Sequence, residues 1–176
     1  MARIQKSNIP KIVIMLGIVS LFTDTATEMI YPLVPVFVAA LGSGAILLGV
    51  IEGVAETTAS MLKLISGIIS DKIGKRRVLV LIGYSISSVI RPLTGLVGSA
   101  WEIVIIRMFD RVGKGIRTAP RDALIASSVD KKIRGKAYGF ERAMDHIGAV
   151  LGPSLAIVTL LVLFIGFGMK DSLLAL

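Results

Sequence analysis

The sequence predicts an all-α integral membrane protein that folds as a multi-span helical bundle. Hydrophobic residues make up 54% of the 176 residues. Charged residues make up 18%, against about 25% in an average soluble domain. The mean hydropathy is +0.82. The apolar residues are concentrated in five long segments, and basic residues cluster in alternate breaks between them.

Each apolar segment is long enough to cross a bilayer as a helix, which takes about 20 residues. Barrel strands are not expected, because they alternate in hydrophobicity over only about 10 residues. We predict one domain over residues 1–176 with five transmembrane helices, and a sixth that begins at residues 171–176 and is cut short. The predicted helices cover residues 10–40, 46–70, 78–98, 101–128 and 136–168.

The charges in the breaks predict the orientation of the helices. Lys and Arg precede the first segment and fill the breaks at residues 71–77 and 130–136, whereas the breaks at 41–45 and 98–101 contain none. The positive-inside rule places the N-terminus and both basic breaks in the cytoplasm. We therefore expect a multi-pass protein surrounded by the lipid of the cell membrane, either plasma or inner.

Ionisable residues inside the predicted helices are the feature that bears on function. A charge facing lipid costs about 2.5–3.5 kcal/mol on insertion scales, so these residues should face protein or water. Their spacing places them on one face of each helix. The candidate cavity and ion-coupling residues are Asp24, Glu28, Glu52, Glu56, Arg107, Asp110, Arg111, Asp145 and His146.

The fourth segment carries the most charge, with six charged residues from Arg107 to Arg121 spaced three or four apart. They fall within an arc of roughly 120° on a helix. The cytoplasmic half of this helix has the option of projecting into water, whereas the outer half around Arg107 and Asp110 needs acidic partners. The sequence leaves two interpretations open: ion pairs that hold the bundle together, or a polar pathway. Six acidic groups on three other helices favour the pathway.

Several classes of function are disfavoured. The net charge is +8, yet the chain has no basic tail and many cations lie within apolar segments, so we expect no nucleic-acid partner. There is no cysteine, and one histidine, His146, which is either a satisfied interior side chain or a proton relay. No H-E-x-x-H or G-x-S-x-G motif is present, so the sequence predicts no enzyme, no metal site and no cofactor.

Three motifs follow one another along the chain. The sequence GIISDKIGKRR occupies residues 67–77 after the second segment, RVGKG occupies 111–115 in the fourth, and GAVLGP occupies 148–153 in the fifth. In this order they resemble signatures of the major facilitator superfamily, and residues 110–122 are similar to a bacterial branch of it. The residues that carry the first and third motifs are Gly67, Asp71, Lys72, Gly74, Lys75 and Arg76, then Gly148, Gly152 and Pro153.

The resemblance implies the first five of twelve helices, that is, part of an N-terminal half. It implies secondary active transport of a small solute coupled to protons or to another ion, with protons favoured, and the third motif is associated with antiporters, which favours efflux. The first motif would form a cytoplasmic gating latch, and Arg107 or Arg111 would be the family's arginine. Asp24, Glu28 and Glu56 would be the proton-linked carboxylates.

A second interpretation stays open from the sequence. A truncated or scaffolding membrane protein would show the same segments and motifs, but it would not transport alone. It would depend on a separate C-terminal half or on a second copy of the chain to complete the bundle.

Overall fold

The computed structural model describes residues 9–166 apart from residues 41 and 43. Over these residues the chain forms six α-helices and two short 3₁₀ helices and no strand, which confirms the predicted fold class. The predicted start of a sixth span at 171–176 lies outside the described residues. The helices are α1 (Lys11–Ile30), α2 (Leu33–Ala40), α3 (Ala45–Ile73), α4 (Arg76–Ile90), α5 (Ala100–Ser128) and α6 (Arg134–Gly166).

Prolines interrupt two of the predicted segments. The first is divided into α1 and α2 at Tyr31 and Pro32, and the third passes from α4 into a 3₁₀ helix that contains Pro92. Proline lacks the backbone N–H of a continuing helix and its ring clashes with the preceding turn. Pro120 and Pro153, by contrast, lie inside α5 and α6, which continue past them.

Among the described residues, four helical stretches are long and apolar enough to cross a membrane: Lys11–Val36, Ala45–Ile73, Arg76–Leu96 and Lys131–Val162. Most of their large apolar side chains point away from the bundle, where lipid replaces the core of a soluble protein. α5 has 29 residues and is also long enough, but it contains too many charged residues to count as an apolar span. It is the central helix instead, with α3 and α4 packed along it.

Glycines allow the helices to approach closely. A Cβ on Gly113 of α5 would lie 2.6 Å from the carbonyl oxygen of Gly83 on α4, and one on Gly115 would lie 2.8 Å from that of Ala59 on α3. α1 packs along α6 in the same way, because a Cβ on Gly148 or Gly152 would lie 2.7 Å from a backbone oxygen of α1. Small residues at such crossings bring the backbones together, as in other membrane bundles.

Two apolar clusters lie toward opposite ends of the bundle. One joins the start of α1 to the start of α4 and the end of α5, and includes Val13, Val80 and Ile125. The other joins α2, α3 and the start of α5 through Val34 and Ile103, among others. The segment between these clusters on α5 carries the charged stripe, so a polar layer separates two apolar ones.

Candidate functional site

The charged stripe of α5 is enclosed by the other helices rather than by lipid. Its buried members lie in both halves of the helix, so the cytoplasmic half does not project into water as the sequence allowed. The buried charges of both halves therefore need protein partners, not only those of the outer half. The buried charged residues of α5 are Arg107, Asp110, Arg111, Arg117 and Arg121.

Arg121 is the centre of an ion-pair network that joins three helices. Its Nη1 lies 2.7 Å from Oε1 of Glu141 on α6 and donates a hydrogen bond of 2.8 Å to Oγ of Ser20 on α1. Ser20 in turn donates to Oδ1 of Asp145, whose other oxygen lies 3.7 Å from Arg121 Nη2. Glu141 is 0% exposed, so Arg121 supplies the charge that makes its burial tolerable.

Arg142 closes this network on its open side. Its guanidinium lies 3.5 Å from Asp145, 3.6 Å from Glu141 and 3.7 Å from Asp122, while 51% of its side chain remains exposed. Tyr138 donates a hydrogen bond of 2.8 Å to the carbonyl oxygen of Asp122. These contacts fix the start of α6 against the end of α5.

A second group of contacts joins α1, α4 and α5 at the middle of the stripe. Arg91 Nε lies 3.1 Å from Oδ1 of Asp110, and its Nη1 donates to the carbonyl oxygen of Thr23 on α1. Arg117 has no acidic partner within 4.0 Å among the described residues. It donates to Oγ of Ser87 at 2.8 Å and stacks over the ring of Tyr84 at 4.6 Å.

The outer part of the stripe forms a separate pair. Arg107 Nη2 lies 2.7 Å from Oε1 of Glu52 on α3, and the guanidinium lies 5.2 Å from the centre of the Tyr31 ring. Arg111 is buried, but the structure gives it no hydrogen bond or ion pair to any described residue. Of the two arginines that the resemblance implied, Arg107 is therefore the one fixed by a carboxylate.

A cavity of about 340 Å³ opens between these groups. Its walls come from α1, α5 and α6, with Arg91 on the fourth side. Almost every lining side chain is charged or can form hydrogen bonds, which is unusual between membrane helices and requires water or a polar ligand. The lining residues are Asp24, Thr27, Glu28, Arg91, Asp110, Lys114, Arg117, Thr118, Arg121, Arg142, Asp145, His146 and Ala149.

The structure brings some of the predicted site residues together and leaves others apart. Asp24, Glu28, Asp110, Asp145 and His146 all line the cavity. The remaining predicted residues do not line it: Glu52 and Arg107 form the outer ion pair, Arg111 is buried, and Glu56 is exposed on α3.

Several cavity residues were missing from the predicted site. Lys114, Arg117 and Arg121 share the helical stripe of Arg107 and Asp110, so the spacing itself held the signal for them. Arg91 carried a weaker signal, since it follows the last turn of α4 beside Pro92 and continues the helical spacing of Tyr84 and Ser87 by one turn. Its role depends on the approach of α1 and α5, which a single sequence does not reveal.

The motif between α3 and α4 forms a tight turn at one end of the bundle. α3 ends at Ile73, and Gly74 adopts a left-handed conformation with φ of 70°, which favours glycine. Arg76 donates to Asp71 Oδ1 at 3.3 Å and to the carbonyl oxygen of Ala123 on α5 at 3.4 Å. The other residues of the motif frame this turn: Gly67 faces Ala119 of α5, and Lys72 and Lys75 are exposed.

A comparison of the sequence with models of known protein families identifies the family of this chain. The sequence model of the Major Facilitator Superfamily matches residues 16–168. The chain belongs to this family. The resemblance seen in the motifs is thereby confirmed, and the chain is a multi-pass protein of a superfamily of membrane transporters.

Several curated proteins are similar to most of the chain. An uncharacterised MFS-type transporter of Methanocaldococcus jannaschii is 39% identical over 93% of the chain and 42% of its own length. An uncharacterised protein of Mycobacterium tuberculosis is 30% identical over 81% of the chain and 35% of its own length. Multidrug resistance protein MdtG of Salmonella schwarzengrund is 23% identical over 82% of the chain and 36% of its own length. The chain thus spans about two fifths of the length of these relatives.

Proposed function

We propose that the chain forms part of the solute pathway of a secondary active transporter that couples movement of a small solute to protons. The single observation that carries this proposal is the charged cavity of about 340 Å³ between α1, α5 and α6. Ion pairs that served assembly alone would be packed without space between them. Here nine ionisable side chains other than His146 surround open volume inside the bundle.

The placement of the basic breaks supports a cytoplasmic N-terminus in the plasma or inner membrane. Arg76 of the first basic break bonds to Ala123 near the end of α5, and Arg134 of the second donates to the carbonyl oxygen of Ala126. Both breaks therefore lie at the same end of the bundle, the end from which α1 starts. The positive-inside rule assigns such an end to the cytoplasm.

Coupling to protons would use Asp24 and Glu28. They lie one helical turn apart on α1, face the cavity, and form no ion pair within 4.0 Å in the described part of the chain. A carboxylate in a polar cavity that alternates between exposure and enclosure has the chemistry to take up and release a proton. Glu56, which the sequence grouped with them, lies outside the cavity, so we leave it out of this role.

Export by antiport is the direction that we propose. One relative is named a multidrug resistance protein, and Gly148 and Gly152 of the antiporter-associated motif lie at the contact of α6 with the α1 segment that carries Asp24. A shift of α6 would therefore change the cavity wall directly. Pro153 follows Gly152 within the helix and removes a backbone hydrogen bond at that point.

Further protein would complete the pathway. Glu56 and Lys63 are exposed on α3, and between and beyond them the same helix exposes large apolar side chains such as Met61 and Leu64. Charges at this position need a protein or water neighbour. We propose that a C-terminal half or a second copy of the chain covers this face. The second candidate function, a scaffold that transports only with such a partner, is favoured by the same two exposed charges.

The test is transport in reconstituted vesicles. The purified chain is placed in liposomes that enclose a pH-sensitive dye, and candidate solutes are added with and without an imposed pH gradient. We expect solute-dependent proton movement that Asp24→Asn or Glu28→Gln reduces at least about tenfold. If no solute moves protons with the chain alone, but does so after co-reconstitution with a partner, the scaffold function is supported. If proton movement occurs and neither variant affects it, the coupling assignment is wrong.

A further inference from the structure

The cavity contains a pattern of unpaired charges that bears on the chemical class of the solute. Five lining side chains are already in ion pairs: Arg91 with Asp110, and Arg121 and Arg142 with Asp145 and with the buried Glu141. Four charged lining residues remain that make no ion pair within 4.0 Å anywhere in the described ranges. They are Asp24, Glu28, Lys114 and Arg117.

These four residues are separated by sign onto two walls. Asp24 and Glu28 are four residues apart on α1, and Lys114 and Arg117 are three residues apart on α5. Residues at these spacings share one helical face. The cavity therefore has an acidic wall with two carboxylates and a basic wall with two cations, and the space between the walls is the cavity itself.

Both basic side chains keep their charge available to a ligand. The Arg117 guanidinium is fixed by Ser87 and by the Tyr84 ring, neither of which neutralises it. Lys114 is exposed rather than covered by another side chain. The acidic wall is backed by the close contact at Gly148, whose added Cβ would lie 3.1 Å from Cβ of Asp24. The walls thus belong to firmly packed helices rather than to loops.

We propose that this cavity binds a small zwitterion, a solute that carries an ammonium group and a carboxylate a few ångströms apart, as an α-amino acid does. The ammonium would pair with the acidic wall and the carboxylate with the basic wall. This inference rests on the proposed function, because it names the solute class of the same cavity. The cavity volume lies at the lower end of the range of about 300–1,000 Å³ for small-molecule sites.

A singly charged solute satisfies this site less well. A simple anion would neutralise the basic wall but would lie in the field of two carboxylates, and a simple cation would meet the opposite problem. Charges enclosed by helices and lipid are screened little by salt. The wall that finds no opposite charge on the solute therefore stays uncompensated, which weakens binding. Only a dipolar solute gains charge-assisted hydrogen bonds at both walls at once.

The test measures binding rather than transport, and it uses matched ligands. The probes are L-leucine, isoamylamine (the same side chain without the carboxylate) and 4-methylpentanoate (the same side chain without the ammonium), with phenylalanine, phenethylamine and 3-phenylpropionate as a second set. The purified chain in lipid nanodiscs is titrated with each, and the shift of its thermal unfolding temperature is recorded. We expect at least one amino acid to bind at least about tenfold more tightly than both of its analogues.

Two variants then test which wall binds which group. Lys114→Gln should lose the preference for the amino acid over its amine, and Asp24→Asn should lose the preference over its carboxylate analogue. The two variants must therefore change selectivity in opposite directions, which a general loss of structure does not produce. Glu28→Gln takes the place of Asp24→Asn if that variant unfolds. Lys63→Gln, on the exposed face of α3 outside the cavity, is the matched control and should keep the amino-acid preference.

The outcomes separate this inference from the proposed function. An amine or carboxylate that binds as tightly as its amino acid in both sets overturns the zwitterion inference, as does the absence of binding by all six probes. Neither result touches the transport assay, which uses its own panel of solutes. Zwitterion binding without solute-driven proton movement would support this site and count against coupled transport by the chain alone.

Discussion

Arg121 reaches Glu141 and Asp145 on α6 and Ser20 on α1 at the same time. The 3.6-residue period fixes which side chains share a face, so the sequence predicted acidic partners for the outer half of this helix, around Arg107 and Asp110. For the cytoplasmic half, which contains Arg121, it left open projection into water, and the structure contradicts that option. The sequence did not predict which acid pairs with which cation. That choice depends on helix order and on crossings of a few ångströms, such as those at Gly148 and Gly152, and no periodic pattern encodes them.

The burial of Glu141 gives a prediction for a single residue. Arg121→Leu should destabilise the folded chain by about 3–5 kcal/mol, since it leaves a fully buried carboxylate without its counter-charge. The measurement is the free energy of unfolding in mixed detergent micelles. Arg142→Leu is the matched control, because Arg142 approaches the same carboxylates but is half exposed, and its loss should cost about 1 kcal/mol or less. Equal losses for both variants would contradict the assignment of Arg121 as the central partner.

At the scale of helices, the sequence predicted the order of the membrane-spanning segments, and its prolines mark some of the points at which the helices are interrupted. Five apolar segments correspond to helices or helix pairs, and the prolines at positions 32 and 92 coincide with the breaks after α1 and α4. Pro120 and Pro153 show the limit of that rule, because both lie inside continuous helices. The central position of α5 was also not evident, since the helix with the least hydropathy is the one most enclosed by the others.

The contact between α1 and α6 gives a prediction for a helix pair. Gly152→Ala should destabilise the chain by about 1–3 kcal/mol, because the new Cβ would lie 2.7 Å from the carbonyl oxygen of Thr25 and from Cβ of Glu28. Gly139→Ala on the same helix is the matched control, since its Cβ would have no neighbour within 4 Å. It should leave stability unchanged or raise it, because alanine favours the helix. Thermal unfolding in detergent measures both, and a tolerated Gly152→Ala would argue against close packing here.

At the scale of the whole molecule, the proposed orientation gives a prediction about sidedness. The chain contains no cysteine, so single substitutions can be labelled without background. In intact cells, Lys75→Cys and Lys132→Cys should both resist a membrane-impermeant maleimide until the membrane is permeabilised. Gly44→Cys, in the break between α2 and α3, should react from outside. If the two basic breaks were labelled from opposite sides, the proposed orientation would be wrong, and so would the placement of both breaks at one end of the bundle.

The central claim is that polar side chains of α1, α5 and α6 enclose a water-accessible cavity within an apolar bundle. Ala149 lines this cavity, whereas the next residue, Val150, is 69% exposed on the outer face of the same helix, where lipid would contact it. The most direct measurement is the rate at which Ala149→Cys and Val150→Cys react with a small charged thiol reagent in nanodiscs, because only a hydrated thiol ionises and reacts. The account predicts rapid modification at position 149 and protection at position 150. Equal rates, or the reverse order, would contradict it.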